Sequence, residues 1–374
     1  MKTDLLLERH RREGAEVTAG SPPLVLAFGE VPDEYRAGTE GAALFDATRR
    51  EALEVSGPEA VVFLHRLLAN AVKTLGVGEG NRNLLLSSKG KVLFDFELAL
   101  VAAERVHLSL APGRAAGLLK ALDTYHFSEK LAFKDVSDEH APLELCGPSA
   151  ADLVARVAGV TPPTELYHHV QGQFRGAPVR VTTLPVAGSL GFRIDAGPTQ
   201  VDALWSAFRE AGAVPAGRIA HDCLRVEAGA AEQGVDVDDS IYPQEARLER
   251  AFSLDKGCYI GQEVVAKIDT YGGLNKRLVA LRISHDDPLP AGTRLLRDDE
   301  GEWRDLGVIT SWAYSFVLDS GLALAYVKRR HQGAGTRFHL GDAQGSLGQA
   351  VIVPLPVRPT ALAPTGEFEA PVAS

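Results

Sequence analysis

Leu53-Glu54-Val55-Ser56-Gly57-Pro58-Glu59-Ala60 recurs downstream as Leu143-Glu144-Leu145-Cys146-Gly147-Pro148-Ser149-Ala150. Each copy reads as a short strand, a Gly-Pro turn and a helix with proline near its start, where the missing N–H costs nothing. The helices that follow agree position by position. Ala60, Phe63, Leu64, Leu67 and Leu68 form one apolar stripe, and Ala150, Leu153, Val154, Val157 and Ala158 form its counterpart. A second helical pair keeps the same order: Ala115, Leu118, Leu119 and Leu122 match Val201, Leu204, Trp205 and Phe208. Strand, helix, strands, helix, read twice, predicts two ferredoxin-like (split βαβ) units, each with helices on one face of an antiparallel sheet.

Within the first unit, Val92–Leu100 alternates with the period of a strand. Phe94, Phe96, Leu98 and Leu100 share one face, while Asp95 and Glu97 stand on the other, toward water or a central cleft. Behind the repeats, short runs at 278–284, 293–297, 306–311, 321–327 and 337–340 are divided by Pro, Gly and Asp. Such spacing predicts a small antiparallel barrel. The expected fold class is therefore α+β, with two ferredoxin-like units and a C-terminal antiparallel β-barrel. The expected divisions are a polar lead-in 1–23, units 24–140 and 141–217, a bridge 218–275, the barrel 276–356 and a disordered tail 357–374.

The chain has 374 residues, 45% of them apolar and 24% charged, ordinary for a protein with real cores. A net charge of −10 argues against bulk electrostatic binding to nucleic acid or anionic membranes. Cys146, Cys223 and Cys258 are few, odd in number and far apart. That fits a reducing compartment and gives neither a disulfide framework nor ligand spacing for a metal or cluster. The first twenty residues are charged throughout, and no apolar run approaches the ~20 residues that span a bilayer. A cytoplasmic location, away from membranes, is expected.

Chemistry concentrates in the bridge, at Lys256-Gly257-Cys258-Tyr259-Ile260-Gly261-Gln262-Glu263. Gly257 and Gly261 permit turns that side chains would block. Lys256, or a helix start nearby, would favour the Cys258 thiolate; a small buried cysteine in a tight turn is the plainer alternative. The acidic run Asp236-Val237-Asp238-Asp239 lacks the pattern of a calcium loop and reads as a solvated turn.

The stretch 256–263 resembles the K-G-C-[FY]-x-G-Q-E signature of the YgfZ family, folate-binding relatives of the glycine-cleavage aminomethyltransferases implicated in maintaining iron–sulfur enzymes. Leu224-Arg225-Val226-Glu227-Ala228-Gly229 resembles the L-R-L-E-A-G of those aminomethyltransferases, and Gly90-Lys91-Val92-Leu93-Phe94-Asp95 resembles their G-G-I-L-D-D. Departures stand beside these matches. His221 replaces the arginine of A-R-D and Val235 the asparagine of G-N-D. The G-E-x-G-Y-E stretch is only echoed, without its glutamates, by Ser189–Ile194.

The resemblance implies three domains around a central opening. It implies tetrahydrofolate as cofactor, with Asp95, Arg225 and Glu227 as candidate contacts and Arg225 placed for the anionic glutamate tail. Cys258 and Lys256 would be the working pair, with Gln262 and Glu263 holding the loop or facing a ligand. The implied function is a folate-binding accessory protein for assembly or repair of iron–sulfur enzymes, including tRNA-modifying ones. A tetrahydrofolate-dependent aminomethyltransferase or demethylase is the alternative. A thiol-dependent enzyme, with His221 or His285 as base for Cys258, is a third reading.

Overall fold

The computed structural model describes residues 5–299, 302–342, 345–360 and 362. Its first antiparallel sheet runs, edge to edge, Gly80–Leu86, Val92–Ala102, Arg105–Leu110, Glu51–Ser56, Ala132–Asp135. Helices Ala60–Leu67 and Ala115–Asp123 cover one face and bury the predicted stripe, Phe63, Leu64 and Leu118 among it. The second sheet runs His169–Phe174, Ala177–Val186, Ser189–Ala196, Ala141–Cys146, Ala43–Asp46, Val214–Pro215, with only the last pairing parallel. Helices Ala150–Ala158 and Val201–Glu210 cover it, burying Trp205 and Phe208 completely. Side chains of this size contribute about 1.5–3 kcal/mol each when removed from water.

Gly57 and Gly147 explain why the repeated turn needs glycine. Both have left-handed φ, +130° and +114°, and a Cβ would fall 2.4 Å from the Lys130 carbonyl oxygen or 2.5 Å from that of Gly41.

The expected boundaries are corrected at the front. Strand Ala43–Asp46 does not belong to the first unit; it pairs with Ala141–Cys146, Ala43 opposite Cys146 and Asp46 opposite Leu143. Its Leu44 lies in the second unit's core, so the first unit begins at Glu51. Nor is 1–23 a mere lead-in. Helix Leu7–Arg12 seats the fully buried Leu6 and His10 on the second unit, with the His10 ring 4.7 Å from that of Trp205. The start of the expected tail is also attached: Val357 N–H donates to the Glu227 carbonyl and Arg358 to Ser189. Positions 361 and 363–374 lie outside the described residues.

The barrel is closed, in the order Lys276–Ile283, Ser320–Lys328, Glu302–Ser315, Arg294–Asp299, Arg337–Asp342, Gly345–Val353. The last strand was not read from sequence. Its glycines, Gly345 and Gly348, interrupt the apolar alternation by which a strand is read from sequence. Helix Arg218–Ala228 of the bridge packs Leu224 on Gly38 of helix Val31–Glu40, so tightly that a Cβ on Gly38 would lie 2.7 Å from the leucine. Both units, the bridge and the barrel meet in one further core, around Phe45, Leu86, Val226 and Leu324.

Candidate functional site

The two sheets, the bridge and the N-terminal segment enclose a cavity of about 670 Å³, within the range of small-molecule sites. Alternation along Val92–Ala102 sends Phe96 and Leu98 to the first unit's core and Asp95 and Glu97 to the cavity wall.

Arg82, on the neighbouring strand, clamps Asp95 with both ends of its guanidinium (Nε to Oδ1 2.8 Å, Nη2 to Oδ2 2.5 Å). Gln233 pairs like an added strand, accepting from the Asp95 N–H and donating to the Leu93 carbonyl. Glu97 accepts from Arg50 Nη2 at 2.5 Å and from Arg193 at 3.3 Å. Burial disfavours its charge, but Arg193 and Arg50 outweigh that and hold the carboxyl at about 2. Arg193 also places two N–H groups on Glu144, so acids and guanidiniums alternate along this wall. Asp46, facing the same cavity, is backed by buried His10 through a 2.9 Å bond to Nε2. Arg82, Gln233, Asp46 and His10 belong to none of the motifs read from sequence. Only sheet register and the N-terminal correction reveal them.

Of the other two expected contacts, Arg225 borders the cavity and Glu227 does not. Arg225 is 4% exposed and spends its donors inside the bridge: Nε on Asp222, Nη1 on Asp236 at 2.9 Å and Nη2 on Ser311 at 2.9 Å. Asp236 also accepts from the Thr310 and Ser311 hydroxyls, so it is a buried partner and not part of a solvated turn. Glu227 does not line the cavity. Fully buried, it accepts from Tyr35 and Ser315 at 2.7 Å and from the Val317 N–H at 3.2 Å. Both residues weld the bridge to its surroundings.

His221 and Val235, the two departures in the bridge, both line the cavity. Burial first, then the Arg218 cation, lowers the His221 pKa, so a neutral imidazole stands edge-on to Phe45. His285 is far from such a role, bonded to the Leu347 carbonyl in the barrel.

The signature lies away from this cavity: among the described residues, none of 256–263 lines it. Cys258 is exposed on a loop clamped to the first unit. Lys256 donates through Nζ to the His65 carbonyl, and the His65 ring returns a bond to the Lys256 carbonyl at 3.1 Å. Burial lowers the Lys256 ammonium to about 8, with Cys258 acting in the opposite sense. Gly257 and Gly261 carry left-handed φ of +99° and +81°, and a Cβ on Gly261 would fall 2.5 Å from the Ser87 carbonyl oxygen. Tyr259 is buried in the shared core and Ile260 packs on the first unit. Helix Gln262–Tyr271 starts next. Glu263 is solvated and pairs with Lys267 one turn on. The imidazole beside this loop is thus His65, which no sequence motif marks.

Among the described residues no group of His, Cys, Asp and Glu is arranged to hold a metal ion, and no helix is long and apolar enough to cross a membrane.

Comparison with known proteins bears on the whole chain. The GCVT N-terminal domain model matches residues 8–256, and the glycine cleavage T-protein C-terminal barrel domain model matches 276–357. An aminomethyltransferase of Saccharopolyspora erythraea is 31% identical over 335 residues, covering 86% of this chain and 88% of that protein. One from Halothermothrix orenii is 26% identical over 338 residues, covering 88% and 92%. The crystal structure of glycine cleavage system aminomethyltransferase T from Bartonella henselae superposes with a TM-score of 0.84 at 26% identity, over 96% of this chain and 98% of that one.

Proposed function

This chain belongs to the GCVT family, the family of the glycine-cleavage aminomethyltransferases, and we propose that it binds a tetrahydrofolate in its central cavity and transfers a one-carbon group there. The observation that carries this reading is the cavity itself, walled by aromatic faces (Phe28, Phe45, Tyr167) and by the clamped Asp95. The residues fit the group chemically. Flat apolar walls suit a pterin ring, and carboxylates suit its ring N–H and amino donors. Bound tetrahydrofolate supplies the nitrogens that carry a one-carbon unit.

The chain's own residues do the rest. Arg82 and Gln233 fix Asp95, leaving each carboxylate oxygen with capacity for one more donor. Neutral His221 can give or take a hydrogen bond at the wall. The segment Pro23–Val25 forms part of the cavity wall. Where the aminomethyltransferase pattern has an arginine and an asparagine, His221 and Val235 remove two strong polar contacts. The substrate accepted should differ accordingly.

Exposed Cys258 favours a second reading, the accessory factor for iron–sulfur enzymes, including tRNA-modifying ones. A thiol held at the surface by a clamped loop suits contact with a protein partner better than chemistry in the cavity. Turnover separates the two: purified protein is incubated with tetrahydrofolate and a methylated or aminomethylated amine, and one-carbon folate is measured. Product formation supports the transferase. Folate binding without turnover, together with loss of cluster-enzyme activity in a deletion strain restored by wild type but not by Cys258→Ala, supports the accessory role. Absence of folate binding ends both folate readings.

A further inference from the structure

Five carboxylates line the central cavity among the described residues, and four of them meet a guanidinium at 2.5–2.9 Å. Arg82 takes Asp95, Arg50 takes Glu97, Arg193 takes Glu144 and Arg218 takes Glu232. Asp46 is the exception. Its Oδ1 accepts from the Thr48 N–H at 2.8 Å and its Oδ2 lies 2.9 Å from His10 Nε2. The two arginines that follow it in sequence are turned elsewhere, Arg49 to the Pro23 carbonyl at 3.0 Å and Arg50 to Glu97. His10 is fully buried against the rings of Phe28 and Trp205, at 4.9 and 4.7 Å, and its Nδ1 has no hydrogen-bond partner. A proton on Nδ1 would be stranded beside those rings, so the imidazole serves Asp46 as a neutral Nε2–H donor. The negative charge of Asp46 is therefore held in place without being cancelled. Two bonds leave the carboxylate further acceptor sites, and its side chain keeps 12% exposure on the cavity wall, where Phe28 also stands. A fixed anion with aromatic surface beside it suits a methylated ammonium ion, which takes its countercharge from the one and packs its weakly hydrated methyl groups on the other.

We propose that Asp46, fixed by His10, is an ammonium subsite of the central cavity and holds the methylated amine from which the one-carbon group is taken. The role as donor site rests on the one-carbon reading above. Asp46 lies on a strand of the second unit and Asp95 on a strand of the first, so amine and folate are gripped from different units. His10 acts here as a positioning residue: it orients the carboxylate from behind and touches no ligand. Because the attraction is ionic, it weakens with salt.

The test is calorimetric titration of the full-length protein at low salt with choline, a methylated ammonium probe, and with its uncharged tert-butyl isostere. Wild type should bind choline about tenfold more tightly than the isostere. In Asp46→Asn, which keeps the shape and removes the charge, that preference should fall to within about twofold, with tetrahydrofolate affinity retained. Should Asp46→Asn fail to fold, Phe28→Leu should reduce the preference about threefold through loss of the ring. Equal affinities in wild type, a preference that survives in folded Asp46→Asn, or one unchanged by Phe28→Leu would overturn the subsite and leave folate binding in place. A choline preference that depends on Asp46 in a protein that binds no tetrahydrofolate would support the subsite and overturn the one-carbon reading.

Discussion

Arg82 stands opposite Glu97 in the sheet register, yet its guanidinium reaches diagonally to Asp95 and closes a two-pronged ion pair on the cavity wall. The acceptor that sequence alternation points to is thereby held in one orientation before any ligand arrives. Arg82→Met strands the Asp95 carboxylate and should cost about 1–3 kcal/mol of stability. Arg82→Met/Asp95→Leu should recover much of that loss, because removing both partners is cheaper than removing one. A urea-unfolding double-mutant cycle measures this, and simple additivity of the two single costs would contradict it.

Glu97 sets an acid limit on the fold. Its carboxyl is held at about 2 against an ordinary 4.5, so its folded pKa is depressed. Its contribution, up to about 3 kcal/mol, is therefore complete above about pH 5 and disappears as pH falls through about 2. Glu97→Gln should flatten the dependence of unfolding free energy on pH between those limits. An unchanged slope in the variant would refute the assignment.

The three cysteines should differ sharply in reactivity. Cys258 is exposed, while burial pushes the Cys146 and Cys223 thiols up to about 12. An aromatic disulfide reagent should label one thiol quickly in the native protein and all three after denaturation. Cys258→Ala should remove the fast phase. Fast labelling that persists in that variant would show that a supposedly buried thiol is reached.

The N-terminal segment should behave as part of the second unit. Leu6 is wholly buried against it, and Leu6→Ala should destabilise the protein by about 2–4 kcal/mol. Thermal unfolding of this variant, compared with Leu5→Ala at an exposed neighbour, isolates the effect. Equal melting temperatures would return residues 5–12 to the status of a polar leader.

Local patterns carried the architecture into view, because two copies of strand, turn and helix need only short-range periodicity to be seen. What they could not show is that Ala43–Asp46 crosses to the later sheet. A strand of four residues looks alike beside either partner, and only the pairing with Ala141–Cys146 decides. The candidate site divides in the same way. Asp95 is legible because it breaks an apolar alternation. Arg82 acquires meaning only from the strand next to it, and His65 only from the loop folded over it. Arg225 and Glu227 were legible as a motif but not as a burial. Asp236, Tyr35, Ser311 and Ser315, which satisfy them, are scattered along the chain.

The central claim is that the cavity between the units holds a tetrahydrofolate. Val235 lines that cavity and is 43% exposed, so Val235→Trp can fill the opening without disturbing a core. Titrating tetrahydrofolate into wild type and this variant, with circular dichroism to confirm folding, tests the claim most directly. One-to-one saturable binding in wild type, lost or greatly weakened in folded Val235→Trp, is the predicted result. No saturable binding in wild type, or equal binding in both, would contradict it.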